Sequence, residues 1–259
     1  MPMLHTTHGA LEYAWIDGRS DLAPLVYLHH GVGCAAVWRR FPYTLAKATG
    51  RAALVYTRHG YAGSAPTELP RPADYMTREA CEVLPEVLDR LGVSEPVLVG
   101  HSDGAAIAVL HAARARRPVT ALALLAPLAY VEEHSLHGVR AVREAYDSTG
   151  VPGSEALRRK VAMFHDDPDA AVHGWSDVWL SPEFRSWSIL DRLPEIKVPT
   201  LLVQGTADEF ATAAQADALA DGLAGPVHRI DLPGCDHHPH ESARAETRTA
   251  LADFLDGVR

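Results

Sequence analysis

Ser102 stands between two glycines in the stretch Gly100-His101-Ser102-Asp103-Gly104. A serine hydroxyl is a weak nucleophile at neutral pH until a nearby base takes its proton. The G-x-S-x-G spacing serves that chemistry on a sharp turn from strand to helix. There the Oγ is exposed, and the glycines let neighbouring backbone approach the turn. The flanking sequence has this character, with an apolar "VLVG" run before the serine and a small-residue "GAAIAVLHAARA" run after it. The start of such a helix also favours developing negative charge. The plainer alternative is a serine capping an ordinary strand-to-helix loop.

A nucleophilic serine needs a base, and the base needs a carboxylate to orient it. Histidine suits the task because its unperturbed pKa lies near neutrality. "GCDHHPHES" (234–242) offers His237, His238 and His240. "VQGTADEF" offers Asp208 and Glu209, just beyond Gly205 at the end of an apolar run. The histidine-rich stretch also has the composition of a metal site, with Asp236, His237, His238 and His240 as conceivable ligands. Yet it shows no H-E-x-x-H or other familiar ligand spacing, and the cysteines do not cluster. Adjacent histidines also converge poorly on one tetrahedral centre. No functional metal and no cofactor are expected.

These groups react only if secondary structure brings them together. Apolar or β-branched runs at 23–31, 51–57, 96–100, 119–127, 199–205 and 227–234 read as strands. "LEYAWIDG" alternates and reads as an edge or hairpin strand. Helical patterns fall at 37–50, stopped by Gly50, and at 75–93, where Pro85 predicts a kink or a broken first turn. Others fall at 104–115, 212–223 and 242–257. Buried strands alternating with helices predict an α/β fold, a mainly parallel sheet of about eight strands covered on both faces. Ser102 and Asp208 then lie at the carboxyl end of that sheet, where ligands of such sheets bind. The rhythm breaks between 128 and 193, which holds no strand candidate. It offers helical stretches near 132–147 and 154–165 and a tryptophan-containing segment. The expected organisation is a core of 1–127 and 194–259 interrupted by a helical insertion, 128–193.

Taken together, these stretches resemble the α/β-hydrolase superfamily over nearly the whole chain. "LHHGVG" resembles its His-Gly oxyanion loop. "RHGYAGS" resembles its D-x-R-G-x-G-x-S loop, with His59 and Ala62 departing from the commonest spelling. "GHSDG" matches its nucleophile elbow. "VQGTAD" and "LPGCDHHPHE" resemble its acid and histidine loops, in the family order Ser, Asp, His.

The resemblance assigns roles to residues. Its G-x-x-D spacing selects Asp208 over Glu209. Relatives often read G-C-G-H-x-P-H-x-E, which makes His237 the base, with Asp236 in place of a glycine. His240 then braces the loop, and His238 is a solvated bystander. The oxyanion donors are the backbone N–H groups of Val32 and Asp103, in a loop braced at His30 and Gly31, His30 by hydrogen bonding. Asp103 stands where relatives carry Met, Gln or Leu. Its carboxylate reads as a first-turn residue favoured by the helix dipole. The alternative is that it projects into the pocket and disfavours anionic substrates. Residues 128–193 resemble the family's helical cap, which shapes the pocket. Trp175, Trp179 and Trp187 are its candidate substrate-binding residues, although aromatic stripes more often build a core. Trp175 and Trp179 can share one helical face. His134, His137, His165 and His173 belong to no motif and read as surface or structural.

The implied activity is serine hydrolysis of carboxylic esters of a small, largely hydrophobic substrate through an acyl-enzyme. Carbon–carbon bond hydrolysis of aromatic ring-cleavage products is the runner-up, with lactone and thioester hydrolysis beside it. Serine rather than aspartate at the elbow argues against a haloalkane dehalogenase or an epoxide hydrolase. A non-catalytic binding protein on this fold would be expected to have lost a triad residue, whereas all three are present.

Composition narrows the partners. The chain has 259 residues, 47% hydrophobic, and carries a net charge of −9 with acidic and basic residues interspersed. That argues against nucleic acid. The N-terminus lacks the basic start and apolar stretch of a signal peptide. No apolar run approaches the roughly 18 residues of a membrane span. Cys34, Cys81 and Cys235 are odd in number and far apart, which favours reduced thiols and a cytoplasmic protein. The expected partner is a small ester-like molecule, and the sequence leaves a homo-oligomer open.

Overall fold

In the computed structural model, which describes residues 1–115, 117–150 and 152–258, eight strands form one sheet in the order β1-β2-β4-β3-β5-β6-β7-β8. The strands are β1 (Met3–Thr6), β2 (Gly9–Ile16), β3 (Leu25–Leu28), β4 (Ala53–Tyr56), β5 (Val97–His101), β6 (Ala121–Leu125), β7 (Thr200–Gly205) and β8 (Val227–Leu232). From β3 onward every pairing is parallel, while β2 runs antiparallel to β1 and β4. "LEYAWIDG" is thus the inner strand of a hairpin. The edge is β1, which the sequence pattern did not mark.

The parallel strands are apolar throughout because both faces are covered. Along β3, Val26 and Leu28 join the core on one face, while Leu25 and Tyr27 join the core on the other. This is the two-residue alternation of a strand, with both sides dry. The first face is covered by α2 (Tyr75–Arg78), α3 (Leu84–Arg90), α4 (Asp103–Arg114) and α8 (Ala213–Gly222). The second is covered by α1 (Phe41–Thr49) and α10 (Arg244–Asp256).

Two prolines shape these helices. A π-helical turn, Glu79–Val83, separates α2 from α3, and Pro85 sits in the first turn of α3. The ring removes an N–H and crowds the preceding turn, so the ladder re-registers there. The helix expected over 37–50 instead begins as a 3₁₀ turn at Ala35–Trp38 and restarts at Phe41, with Pro42 in its first turn. Gly50 ends it at φ 72, the left-handed conformation that glycine adopts without strain. The last helix is also divided, into α9 (Pro239–Ser242) and α10.

Between β6 and β7 the chain forms α5 (Glu133–Asp147), α6 (Ser154–Ala162) and α7 (Pro168–Leu180), then a 3₁₀ helix at Leu190–Glu195. Its only pairing of strand type among the described residues is the isolated bridge Tyr130–Ser188. Asp167 caps α7, accepting from the Ala170 N–H, with Pro168 in the first turn.

Candidate active site

Ser102 lies at the end of β5, with φ 54 and ψ −118. Few non-glycine residues hold such a backbone, and the surrounding sheet and helix impose it. The glycines explain how. A Cβ on Gly100 would lie 2.4 Å from the Gly104 carbonyl oxygen, and one on Gly104 only 2.0 Å from that of Leu28. Helix α4 therefore presses on the sheet closely enough for the turn to be forced. Asp103, its first residue, presents a backbone N–H with no acceptor inside the helix.

The acid and histidine loops follow β7 and β8. His237 Nδ1 lies 2.8 Å from Asp208 Oδ2 and 2.9 Å from Oδ1, and both side chains are buried. Asp208 is itself held. Gln204 Nε2 donates to Oδ2 (2.8 Å), and the Phe210 and Ala211 N–H groups donate to Oδ1 (2.8 and 2.9 Å). Burial raises its pKa. The bonds from His237, Phe210 and Gln204 outweigh that, and the carboxyl titrates below its ordinary value. An ionised Asp208 fixes the histidine proton on Nδ1 and leaves Nε2 free as an acceptor. Glu209 has a different task, accepting the His237 backbone N–H at 3.1 Å.

Ser102, Asp103, Val32 and His237 line one cavity of about 180 Å³. Its remaining wall is mostly apolar and comes largely from the helical insert, with Val139, Val161, Phe164, Val172, Trp175 and Trp179. Lys160, Arg39 and Glu241 are its charged members. Trp175 and Trp179 are therefore pocket residues as well as core. Trp187 is not: its ring stacks on Phe184 (5.3 Å, 13°) away from the cavity.

The histidine loop departs from expectation in two places. His238 is half-buried and lines the cavity, with its ring 5.3 Å from that of His30. It is a wall residue, not a solvated bystander. His240 is buried against Trp38 (4.6 Å) with its Nδ1 unpartnered, so it braces the loop by packing. Asp236 supplies the polar brace, its Oδ1 accepting from the His238 N–H (2.8 Å) and the Ser242 hydroxyl (2.7 Å). Among the described residues, no three His, Cys, Asp or Glu side chains converge as metal ligands.

The loop expected to hold the oxyanion is braced differently from expectation too. The His30 ring makes edge contacts with His101 and His238, and only its backbone carbonyl accepts hydrogen bonds. The side-chain brace is His29, fully buried, whose Nε2 accepts the Arg58 N–H at 3.0 Å and whose Nδ1 donates to the His30 carbonyl at 2.8 Å. Arg58 closes the loop by donating to the His29 and His30 carbonyls at 3.0 and 2.8 Å. Gly31 is required by the insert, since a Cβ there would lie 2.1 Å from Trp175 Nε1. His101, inside the nucleophile motif, donates from Nε2 to the His237 carbonyl at 2.7 Å and so ties the serine turn to the histidine loop.

Asp103 sits in the first turn of α4, as expected, but buried. It is 1% exposed, with Oδ2 accepting from the Tyr75 hydroxyl at 2.6 Å and Oδ1 unpartnered. Burial pushes its carboxyl up, against the pull of Arg58 and the Tyr75 bond. His29, Arg58, His165 and Tyr75 are the site residues that motif reasoning missed. His29 and Arg58 lie inside the motifs "LHHGVG" and "RHGYAGS" and are the two with a usable signal.

Comparison with known proteins agrees with this architecture. A proline iminopeptidase of Lactobacillus delbrueckii subsp. lactis is 26% identical over 278 residues, covering 94% of each chain. Epoxide hydrolase A of Mycobacterium tuberculosis is 25% identical, covering 91% of each. Among solved structures, VinJ superposes with a TM-score of 0.76 at 23% identity, covering 100% of this chain and 98% of its own. The family model described as "Alpha/beta hydrolase family" matches residues 25–250. The chain belongs to the alpha/beta hydrolase family.

Proposed function

We propose that this protein is a serine hydrolase that cleaves carboxylic esters with a small, largely apolar acyl group. The observation that carries the reading is the Asp208–His237 pair opening, with Ser102, on one mainly apolar cavity. His237 Nε2 takes the Ser102 proton as Oγ adds to the ester carbon. The Val32 and Asp103 N–H groups receive the negative oxygen. The carbon–oxygen bond to the alcohol breaks, and His237 returns the proton to the departing alkoxide. Water, deprotonated by the same nitrogen, then releases the acid and restores Ser102. Apolar lining favours apolar acyl chains at about 0.8 kcal/mol per buried CH₂. Three unpaired cysteines, two of them buried, suit a reducing compartment such as the cytoplasm.

The test is labelling by a fluorophosphonate probe, lost in Ser102→Ala, alongside a panel of p-nitrophenyl esters from acetate to octanoate. Activity should rise with acyl length and then fall once the cavity is full. No labelling of the intact protein would overturn the reading. Similarity to a proline iminopeptidase makes N-terminal proline amides the second substrate class to assay, since amide cleavage uses the same residues. A lactone and a ring-cleavage dienone complete the panel.

A further inference from the structure

Three side chains of the helical insert reach the two residues expected to bind the oxyanion, one directly, one through Tyr75 and one through Gly31. The first is His165, which follows α6 and is 5% exposed. Its Nδ1 lies 3.0 Å from the Ala62 N–H and its Nε2 lies 3.2 Å from the Val32 carbonyl. A backbone amide can only donate, so Nδ1 must accept. The ring proton is then on Nε2 and is given to Val32. One imidazole joins the insert, the loop around Ala62 and the oxyanion loop.

The second is Trp179 of α7. Its Nε1 donates to the Tyr75 hydroxyl at 3.1 Å, and that hydroxyl donates to Asp103 Oδ2 at 2.6 Å. This turns the Asp103 carboxylate toward Tyr75. Unheld, a charge one residue from the developing oxyanion would oppose it. The third is Trp175, whose indole rests against Gly31, immediately before Val32.

The oxyanion loop needs such holding. "HHGVGC" follows the last residue of β3 and carries glycines on both sides of Val32, so its backbone is freer than most. An oxyanion donor works only when its N–H is aimed in advance at the reacting oxygen.

We infer that the insert sets the oxyanion hole: His165 positions Val32 through its carbonyl, and Tyr75, held by Trp179, keeps the Asp103 carboxylate from opposing negative charge at the Asp103 N–H, so turnover requires the insert to be seated. The inference rests on the serine acyl-transfer reading above and adds to it that the insert acts on catalysis as well as on substrate fit.

The experiment compares wild type, His165→Phe and Tyr75→Phe by kcat and KM on p-nitrophenyl butyrate. Each substitution keeps ring bulk and removes the hydrogen bond. A trifluoromethyl ketone, which forms a tetrahedral adduct in the oxyanion hole, is titrated against each protein. Losing an oxyanion donor outright costs about 100- to 1000-fold in rate, so misaiming one should lower kcat by about 10- to 100-fold. KM should stay within about threefold, because each substitution keeps ring bulk and only one of the two residues, His165, lines the cavity. Ketone affinity should fall in step with kcat/KM. If either folded variant keeps kcat within twofold of wild type, or if KM rises while ketone affinity holds, the inference is wrong and the contacts only fasten the insert. Should His165→Phe fail to fold, Tyr75→Phe decides alone. Fluorophosphonate labelling of wild type separates the two levels. An unlabelled wild type overturns the serine reading itself, while a labelled one with fully active variants overturns the positioning role only.

Discussion

His237 Nδ1 is shared between the two oxygens of Asp208, at 2.8 and 2.9 Å, and both of those oxygens accept further protein donors. The carboxylate is therefore a fixed anion whose orientation does not depend on the histidine. Asp208→Asn replaces it by a group that can donate to Nδ1 and stabilise the wrong tautomer. We expect kcat to fall by about 10⁴-fold with the fold intact, as for triad carboxylates generally. His237→Ala should reduce kcat at least as far. His238→Ala should change kcat by less than about tenfold, acting through KM, because its ring is wall and not base. Steady-state kinetics on p-nitrophenyl butyrate check all three, and equal kcat losses in His237→Ala and His238→Ala would show the loop register to be wrong.

Asp103 gives a specificity prediction. Asp103 lines the cavity next to Ser102, with its carboxylate buried against Tyr75. An anionic acyl group should therefore be disfavoured against a neutral one of equal size. The ratio of kcat/KM for p-nitrophenyl butyrate to that for p-nitrophenyl hemisuccinate should exceed about tenfold in wild type and narrow in Asp103→Asn. An unchanged ratio would mean that the cavity does not sense this charge.

The glycines separate clash from strain. Gly92 has φ 65 and open space around its Cβ position, so Gly92→Ala meets strain alone, about 1 kcal/mol. A Tm loss of about 2–4 °C is expected. In Gly104→Ala the new methyl would meet the Leu28 carbonyl at 2.0 Å, which is backbone and cannot step aside. That variant should lose far more, seen in thermal melts or as failure to accumulate folded protein. Similar melting of the two would mean that α4 can lift from the sheet.

Ser102 could be read because its constraint is local: the glycines at 100 and 104 are there for atoms of the same turn and the adjacent strand. Asp208 and His237 came from loops of fixed spacing after strands. His165 could not be found that way. Its partners lie 103 and 133 residues away, and a single histidine at the end of a helix carries no periodic or motif signal. Tyr75 was hidden for the same reason, since it reaches Trp179 across 104 residues. The orientation of Asp103 is not legible in sequence, because the helix dipole accounts for an acidic first turn whether the side chain faces water or the core.

Stability should fall in mild acid. Burial, then the neighbouring imidazoles, pushes His240 down to about 3, and burial lowers His29, His30 and His101 well below their ordinary range. In the unfolded chain these rings would bind protons near 6.5. Unfolding therefore takes up protons as the pH drops below 6.5, and stability declines from there toward 3. His240→Phe keeps an aromatic ring against Trp38 and removes one such proton. Between pH 6.5 and 5 it should lose about 2 kcal/mol less than wild type in urea titrations. Parallel pH profiles for the two proteins would refute the assignment.

The backbone of Ser102, at φ 54 and ψ −118, has a consequence for how this chain can change. The conformation costs any side chain about 1–3 kcal/mol and costs glycine little. Ser102→Gly should therefore be inactive yet more stable than wild type, whereas Ser102→Ala should be inactive with the strain retained. At this position selection for turnover and selection for stability point in opposite directions. A lineage released from the need to hydrolyse its substrate would find a more stable fold one substitution away.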